Sequence, residues 1–254
     1  VRYAADELAR HLFAMSGASF PVATDALELQ ENDILLGINR HTDALGFSKR
    51  IDALPKEGFF YCTAPRALII GGKGRGLLYG VYSFLEDVLG CRFFSPEVTH
   101  IPHRCCIEIP VLDHTETPAM EYREPYLTEC RNPEYAVRRK VNGQSVPFFP
   151  KHGGGVKYVE GFFVHTFTKL LPPELYFDTH PEYYAEVHGE RLREKTQLCL
   201  TNPAVLELVT ARVLEELRKQ PDAGIFSVSQ DDNYNGCTCA HCRAVNEAEG
   251  SMAL

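Results

Sequence analysis

Two adjacent carboxylates and an amide, Asp231, Asp232 and Asn233, form the stretch of this sequence best suited to acid–base chemistry. They follow an apolar segment, residues 224–229, which we predict to be a strand that ends at this point. Adjacent carboxyl groups can share a proton, and a protonated one can act as a general acid. Asp and Asn are equally suited to calcium-like loops and helix N-caps, so the spacing alone leaves a structural role open. The same two interpretations apply to His165, at the end of an earlier predicted strand.

A dense group of thiols follows, in the run Cys237-Thr238-Cys239-Ala240-His241-Cys242. Thiolates at this spacing suit zinc, which takes four sulfur or nitrogen ligands in structural sites. Cys199, at the end of another predicted strand, is the candidate for the fourth ligand. Disulfides or buried free thiols fit the same pattern. We therefore predict a structural zinc site and keep these two alternatives open.

Other glycine-rich and histidine-rich motifs fail the templates that they partly match. Residues 71–76, Gly-Gly-Lys-Gly-Arg-Gly, have no Ser or Thr after the lysine, and Leu77 stands where a dinucleotide fingerprint has its third glycine. We predict a tight strand-to-helix turn there. Residues 152–155, His-Gly-Gly-Gly, are similar to a lipase oxyanion loop, but the sequence has no Gly-x-Ser-x-Gly elbow. It also lacks the His-Glu-x-x-His pattern of zinc proteases.

Composition excludes several classes of protein. The 254 residues are 44% hydrophobic and 24% charged, which is typical of a folded globular chain. The net charge of −8 and the lack of a basic stripe argue against a nucleic-acid partner. No stretch approaches the roughly 18 uninterrupted apolar residues of a membrane span, so none is predicted. Composition leaves the oligomeric state open.

The first part of the sequence predicts a small α/β domain over residues 1–112. Helical periodicity at residues 1–15 precedes strand candidates at residues 20–22, 33–37, 58–61 and 67–70. We predict that the last two strands pair with each other around a turn at Ala64-Pro65-Arg66. A second amphipathic helix is predicted at residues 77–88. We expect a sheet with helices on one face.

The remaining residues, 113–254, alternate predicted strands and helices. Asn202 and Pro203 are the expected N-cap and first residue of a helix that extends to residue 219. Alternation of this kind indicates a parallel sheet. A complete (β/α)8 barrel takes ~200–250 residues, so we predict the first half of a truncated barrel with about four βα units. The strand candidates are residues 120–122, 162–165, 195–200 and 224–229.

Several segments resemble known families. Residues 74–86 and 90–96 resemble the N-terminal domain that precedes the barrel in alpha-glucuronidases and family 20 hexosaminidases. The second part resembles the bacterial domain of unknown function 4838, part of which is classed as glycoside hydrolase family 163, a group similar to endo-acting N-acetylglucosaminidases on N-glycans. The cysteine run and five further segments carry this resemblance: residues 152–155, 165–167, 180–184, 197–203 and 227–233.

The resemblance implies a glycoside hydrolase that acts on a complex glycan, including glycans that contain N-acetylhexosamine. It implies Asp232 as the catalytic acid or substrate-orienting group and Asp231 as its neighbour, with His165, Asn233 and Arg123 as substrate-binding residues. Family 20 enzymes carry Asp-Glu at the corresponding place, and this sequence has no glutamate there. Such chemistry requires no cofactor, and the zinc predicted above would be structural.

Glycosidases need two carboxyl groups, so the partner of Asp232 is either Asp231 or a residue on strands beyond this chain. We therefore expect this fragment to be inactive alone and the full-length protein to be the enzyme. A non-catalytic glycan-binding or interaction protein on the same scaffold is the alternative, because a fold does not determine a function. The resemblance favours a periplasmic or extracellular location.

Overall fold

The computed structural model describes residues 1–250, which form two compact units, Val1–Gly155 and Val156–Leu254, the second described up to residue 250. The first unit contains α1 (Arg2–Ser16), β1 (Asp33–Leu36), α2 (Arg40–Ala44), α3 (Ser48–Asp52), β2 (Phe59–Ala64), β3 (Ala67–Gly72), α4 (Gly76–Ser83), a π-helical turn (Phe84–Val88), β4 (Arg92–Phe93), β5 (Thr99–His100), β6 (Asp113–Glu116), a 3-10 turn (Thr128–Arg131), α5 (Pro133–Arg138) and a second 3-10 turn (Pro150–His152). The second unit contains α6 (Phe167–Leu170), α7 (Pro173–Tyr176), a 3-10 turn (Pro181–Tyr183), β7 (Glu186–Val187), β8 (Glu190–Arg191), α8 (Pro203–Lys219) and α9 (Ala240–Glu249). Among residues 1–250, no helix is long and apolar enough to cross a membrane.

The sheet of the first unit has the strand order β1-β3-β2-β6. β2 and β3 form the predicted antiparallel pair, in which Ala64 lies opposite Ala67 across the two-residue turn Pro65-Arg66. Proline fixes the backbone of such a turn. β1 pairs with β3 in parallel, and β6 adds to the free edge of β2. Residues 20–22, by contrast, do not form a strand.

Helices cover both faces of this sheet, so the expectation of one covered face was wrong. The larger core joins α1 and α4 to Phe59 and Ile70. Phe60 and Ile69 point to the opposite face and pack with Ile51 of α3. Alternate residues of a strand point to opposite faces, and both sets are apolar here, so each face needs a cover. At five residues, α3 is too short to show a helical hydrophobic period.

The glycine-rich segment after β3 is the tight turn that the sequence predicts. A side chain at Gly76 would collide with the backbone of Glu57 and Gly58, and one at Gly72 would collide with the backbone of Leu77. These glycines therefore allow backbone segments to pack directly against each other where β3 passes into α4. The predicted helices at residues 1–15 and 77–88 are confirmed as α1 and as α4 with the π-helical turn after it.

The second unit has little regular strand structure. The helix predicted after Asn202 is confirmed as α8, with Pro203 in its first turn and Asn202 Oδ1 accepting a hydrogen bond from Ala204 N at 3.0 Å. The strand predictions at residues 120–122, 162–165, 195–200 and 224–229 were wrong, since these residues form only isolated bridges or none. In the second unit, the strand candidate at residues 162–165 follows a turn in which Phe162 N donates to Val159 O. Because of this turn, the segment cannot stay in register with a neighbouring strand.

Two segments of this unit nevertheless run side by side in the same direction. Val159 N donates to Ile225 O at 2.9 Å, Ser227 N donates to Phe162 O at 3.2 Å, and Thr166 N donates to Ser229 O at 3.1 Å. Tyr158 and Ile225 form a parallel bridge. The segments at residues 157–167 and 224–229 are therefore an interrupted parallel pair, and their ends lie together.

The mixed α/β class is confirmed, and residues 1–250 contain no closed barrel. β6 (Asp113–Glu116) belongs to the sheet of the first unit because it pairs with β2. The two compact units are defined by packing within this chain. The boundary predicted between residues 112 and 113 separates domains that resemble different families, so it stays a prediction.

Candidate functional site

His165 and the polar stretch that starts at Asp231 lie together at the ends of the two parallel-running segments. Thr166 N and Phe167 N both donate to Ser229 O at 3.1 Å. His165 Nδ1 lies 3.4 Å from Gln230 O, and the histidine is exposed. Its φ of 54° is in the left-handed region, which few residues other than glycine adopt. The structure therefore turns the backbone sharply where the histidine side chain emerges.

Asp231 has a structural contact in this arrangement. Its Oδ2 accepts a hydrogen bond from Thr168 N at 3.1 Å, in the first turn of α6. A carboxylate at a helix N-terminus satisfies a free N–H group and interacts favourably with the helix dipole. Asp231 is half-buried, whereas the neighbouring Asp232 is exposed to solvent. Asp232 is thus the carboxylate of this pair that is open to a ligand.

Asn233 is also engaged within the loop. Its Nδ2 donates to Thr196 O at 3.2 Å, and its Oδ1 accepts from Asn235 N at 3.0 Å. Both contacts fix the course of residues 231–235, which have no helix or strand of their own. The amide therefore holds the loop that carries Asp232.

Gln197 binds the same loop and was not predicted as a site residue. Its side chain is buried, with 3% exposed, and makes three hydrogen bonds to the loop backbone. Oε1 accepts from Asp231 N at 3.0 Å, while Nε2 donates to Asp231 O at 2.7 Å and to Asn233 O at 3.2 Å. Because this buried amide makes all three hydrogen bonds, it is stable and has one defined orientation.

Arg123 lies in the first unit. Its guanidinium donates to Glu57 Oε2 at 2.5 Å, to Met120 O at 2.5 Å and to Lys140 O at 2.6 Å. Arg75 binds the other oxygen of Glu57 in a buried ion pair. Burial alone would raise the pKa of Glu57, but the hydrogen bond from Arg123 and the charge of Arg75 together lower it. Arg123 therefore holds a buried carboxylate, and its substrate-binding role stays a prediction.

The four predicted metal ligands, Cys199, Cys237, Cys239 and Cys242, lie together in the second unit. Their sulfur atoms are all within 4.8 Å of one another, so the cluster could hold a metal ion. Cys199 Sγ lies 3.8 Å from the sulfurs of both Cys239 and Cys242. A tetrahedron with sulfurs ~2.3 Å from its centre has edges of ~3.8 Å, which is the geometry of a structural zinc site.

The disulfide alternative does not agree with this geometry. All four thiols are free, and a disulfide would require two sulfurs ~2.05 Å apart. Burial alone would raise the pKa of Cys239, but hydrogen bonds from the Cys242 backbone and from the neighbouring thiols outweigh it and lower its pKa to about 6. Burial raises the pKa of Cys237. Cys239 is therefore the cysteine of the cluster that is stabilised as a thiolate, the form that binds metals, whereas burial raises the pKa of Cys242 as it does that of Cys237.

Several donors surround the sulfurs. The hairpin of β7 and β8, joined by His188-Gly189 with positive φ at both residues, brings two of them to Cys237. Glu186 N donates to its sulfur at 3.4 Å, and the Arg191 guanidinium donates at 3.7 Å. Thr201 Oγ1 lies 3.1 Å from Cys242 Sγ. Such contacts orient metal ligands and offset the charge of several thiolates.

A family model described as Domain of unknown function (DUF4838) matches residues 93–254, which is more than half of the chain. The chain belongs to this family. The match includes the DUF4838 segments quoted from the sequence and every cysteine of the cluster. No curated protein and no solved structure matched the chain significantly.

The sequence alone did not identify Gln197 and Arg191, which contact predicted site residues and hold them in place. Gln197 stands in the DUF4838 segment at residues 197–203, two residues before the predicted ligand Cys199. The available signal was a polar residue within a predicted strand. Arg191 lies two residues after Gly189, and a glycine is a general turn signal that does not by itself identify a hairpin. Its proximity to Cys237 depends on the fold.

Proposed function

We propose that this chain is part of a glycoside hydrolase that acts on a complex glycan, including glycans that contain N-acetylhexosamine. The observation that carries the proposal is the parallel pair of segments whose ends bring exposed His165 beside the loop with exposed Asp232. In (β/α)8 enzymes the ends of parallel strands carry the catalytic groups. The proposed context is the first half of such a barrel, preceded by a domain similar to that of alpha-glucuronidases and family 20 hexosaminidases. Membership of DUF4838 supports this family context.

Asp232 is the proposed general acid or substrate-orienting group, because its carboxylate is open to solvent. Asp231 acts as its electrostatic neighbour, and its bond to Thr168 N fixes the loop. His165 is the proposed ligand for sugar hydroxyls, together with Asn233. Glycoside hydrolysis needs a second carboxyl group, which is either Asp231 or a residue outside this chain.

The test is turnover on a panel of complex glycans with the full-length protein. We expect Asp232→Asn to lower turnover by about two or more orders of magnitude, the usual scale of general acid catalysis. Asp222→Asn is the matched control, since this exposed aspartate lies in the same unit away from the proposed site residues. Wild-type turnover in Asp232→Asn would contradict the catalytic role.

A non-catalytic glycan-binding protein is the second candidate. It is favoured by the engagement of Asp231 and Asn233 in the loop's own hydrogen bonds, which leaves Asp232 as the exposed carboxylate of the stretch. Glycan binding without hydrolysis by the full-length protein would support this candidate. Asp232→Asn should then weaken binding. The periplasmic or extracellular location inferred from the resemblance applies to both candidates.

We further propose that the four-cysteine cluster holds a structural zinc ion. The 3.8 Å separations between sulfurs and the nearby Arg191 support this assignment. Elemental analysis of fresh protein should give about one zinc ion per chain, and Cys239→Ser should lower this value strongly. Cys105→Ser is the matched control, because Cys105 is an exposed thiol outside the cluster. Protein without zinc would leave only buried free thiols.

A further inference from the structure

Residues 197–199 of the second unit contact two other parts of that unit, one at each end of this short stretch. At one end, Cys199 lies with the sulfurs of Cys237, Cys239 and Cys242. At the other end, two residues earlier in the chain, Gln197 binds the backbone of the loop at residues 231–233. The cysteine cluster and the loop that carries Asp232 are therefore attached to the same three residues, 197–199.

Further hydrogen bonds continue this attachment without forming a strand. Asn235 Nδ2 donates to Lys195 O at 2.6 Å, and Asn233 Nδ2 donates to Thr196 O at 3.2 Å. These contacts come from side chains, and Asn235 is only half-buried, so water can compete for its bonds. A loop held in this way keeps a single conformation only if its ends are fixed, because ordering each free residue costs conformational entropy.

We propose that a metal ion bound by the four cysteines fixes the loop at residues 230–235, with Gln197 as the positioning residue that transmits the constraint to Asp231. The inference deepens the proposed function and rests on its metal site. A bound ion would link Cys199 to Cys237, Cys239 and Cys242, and so fix where residues 196–199 lie against the following loop. Gln197 would then hold Asp231 where its carboxylate reaches Thr168 N.

The reporter for this coupling is the amide of Thr168. It bonds to Asp231 Oδ2, so its hydrogen exchange measures whether the loop is in place, and it touches neither the cysteines nor Gln197 directly. Exchange is followed by NMR in the full chain with zinc bound and after removal of zinc by a chelator. We expect the Thr168 amide to exchange about fivefold to tenfold faster without zinc, the scale of one lost hydrogen bond. Amides in the middle of α8 are the control, because the buried Val205 anchors that helix outside the cluster.

Gln197→Met separates the coupling from the metal. This variant removes the hydrogen bonds at similar size, so it should still bind one zinc ion per chain. Its Thr168 amide should exchange as fast with zinc as that of the wild-type protein without zinc, and chelation should change it little further. Gln197→Glu is the second variant, since it keeps an acceptor for Asp231 N but loses the donors to Asp231 O and Asn233 O. With zinc bound, the Thr168 amide of Gln197→Glu should exchange faster than that of the wild-type protein and no faster than that of Gln197→Met.

Three results would overturn the inference. The Thr168 amide could exchange at the same rate with and without zinc. Zinc removal could accelerate α8 equally, which would mean general unfolding of the unit. The chain could also bind no zinc, in which case the proposed metal site fails as well. None of these measurements depends on glycan turnover, so failure of the glycosidase proposal is detected separately.

Discussion

The two units of this molecule are stabilised in different ways. The first has a four-stranded sheet with apolar clusters on both faces and large side chains such as Phe59, Tyr79 and Tyr82 fully buried. The second has isolated bridges, small apolar clusters, side-chain hydrogen bonds to loop backbone and a group of four thiols. The difference is clear in α9, whose buried residue is Cys242.

The two kinds of stabilisation suit different functions. In regular strands the backbone groups hydrogen-bond to one another, and the side chains are left to pack. The first unit therefore gains stability from buried apolar area. In the second unit, the backbone of the loops is free to bind side chains and to present polar groups. Functional residues are common on such loops when something holds them in place. Here we assign that role to the cysteine cluster and Gln197.

Removal of zinc should give the largest difference between the units. Without the ion, α9 loses its anchor, since Cys242 is the residue through which it is buried. Structural zinc contributes about 10–16 kcal/mol of apparent binding energy in small zinc domains. Chelation should therefore abolish amide protection in α9 and at β7 and β8, while β2 and β3 of the first unit keep theirs. Hydrogen exchange of the full chain measures both. Unchanged protection in α9 would show that packing alone holds the second unit.

A cavity in the core of the first unit should destabilise that unit and leave the zinc site of the second unit unchanged. Phe59 is fully buried, so Phe59→Ala should lower the free energy of unfolding of the first unit by about 3–5 kcal/mol. Zinc stoichiometry should stay at the wild-type value, because the cysteines belong to the other unit. Phe13→Ala is the control, since Phe13 is 56% exposed and should cost little. Denaturant unfolding and elemental analysis test the two statements, and loss of zinc in Phe59→Ala would refute the second.

The buried carboxylate of Glu57 gives the first unit its own pH dependence. The hydrogen bond from Arg123 and the charge of Arg75 outweigh burial and lower the pKa of Glu57 below its ordinary 4.5. Its contribution to stability is therefore present above about pH 4.5 and lost as the pH falls through the lower folded-state pKa.

Glu57→Gln should destabilise the first unit by about 3 kcal/mol at neutral pH, because two arginines lose their charged partner. Its stability should also fall less steeply below pH 4.5 than that of the wild-type protein. In the second unit, acid should act differently, since protons would compete with the proposed metal ion for the thiolates. Glu31→Gln is the control for an exposed pair, with Arg66, and should change stability by less than about 1 kcal/mol. Equal pH profiles for wild type and Glu57→Gln would exclude the assigned role.

The smallest expected effect concerns the surroundings of the cluster. Arg191→Ala removes the cation that donates to Cys237 Sγ at 3.7 Å, so zinc affinity should fall by about 10-fold to 100-fold without loss of the fold. Arg193→Ala is the matched control, because its guanidinium binds exposed Asp178 instead. Competition with a chelator of known affinity measures both variants. Equal affinities would show that the Arg191 contact does not tune the site.

Local signals in the sequence were sufficient for much of the fold. Apolar periodicity predicted α1 and α4, and Asn202 with Pro203 correctly predicted the start of α8. The turn at Pro65-Arg66 predicted the pairing of β2 with β3. The spacing of Cys237, Cys239 and Cys242, together with Cys199, predicted the membership of the cluster. Each of these features depends on residues that are close in the sequence or on a residue type with few alternative uses.

Long-range pairing and packing required the tertiary structure. The segments at residues 162–165 and 224–229 are apolar enough for strands, yet a turn at Phe162 interrupts their pairing. Gln197 binds Asp231, and Arg191 binds Cys237, only because the chain returns to those positions. The sequence by itself therefore determined which residues could do chemistry and three of the helices, α1, α4 and α8. The tertiary structure decided which of those residues meet and which are occupied in holding a loop, because both depend on hydrogen bonds between residues far apart in the chain.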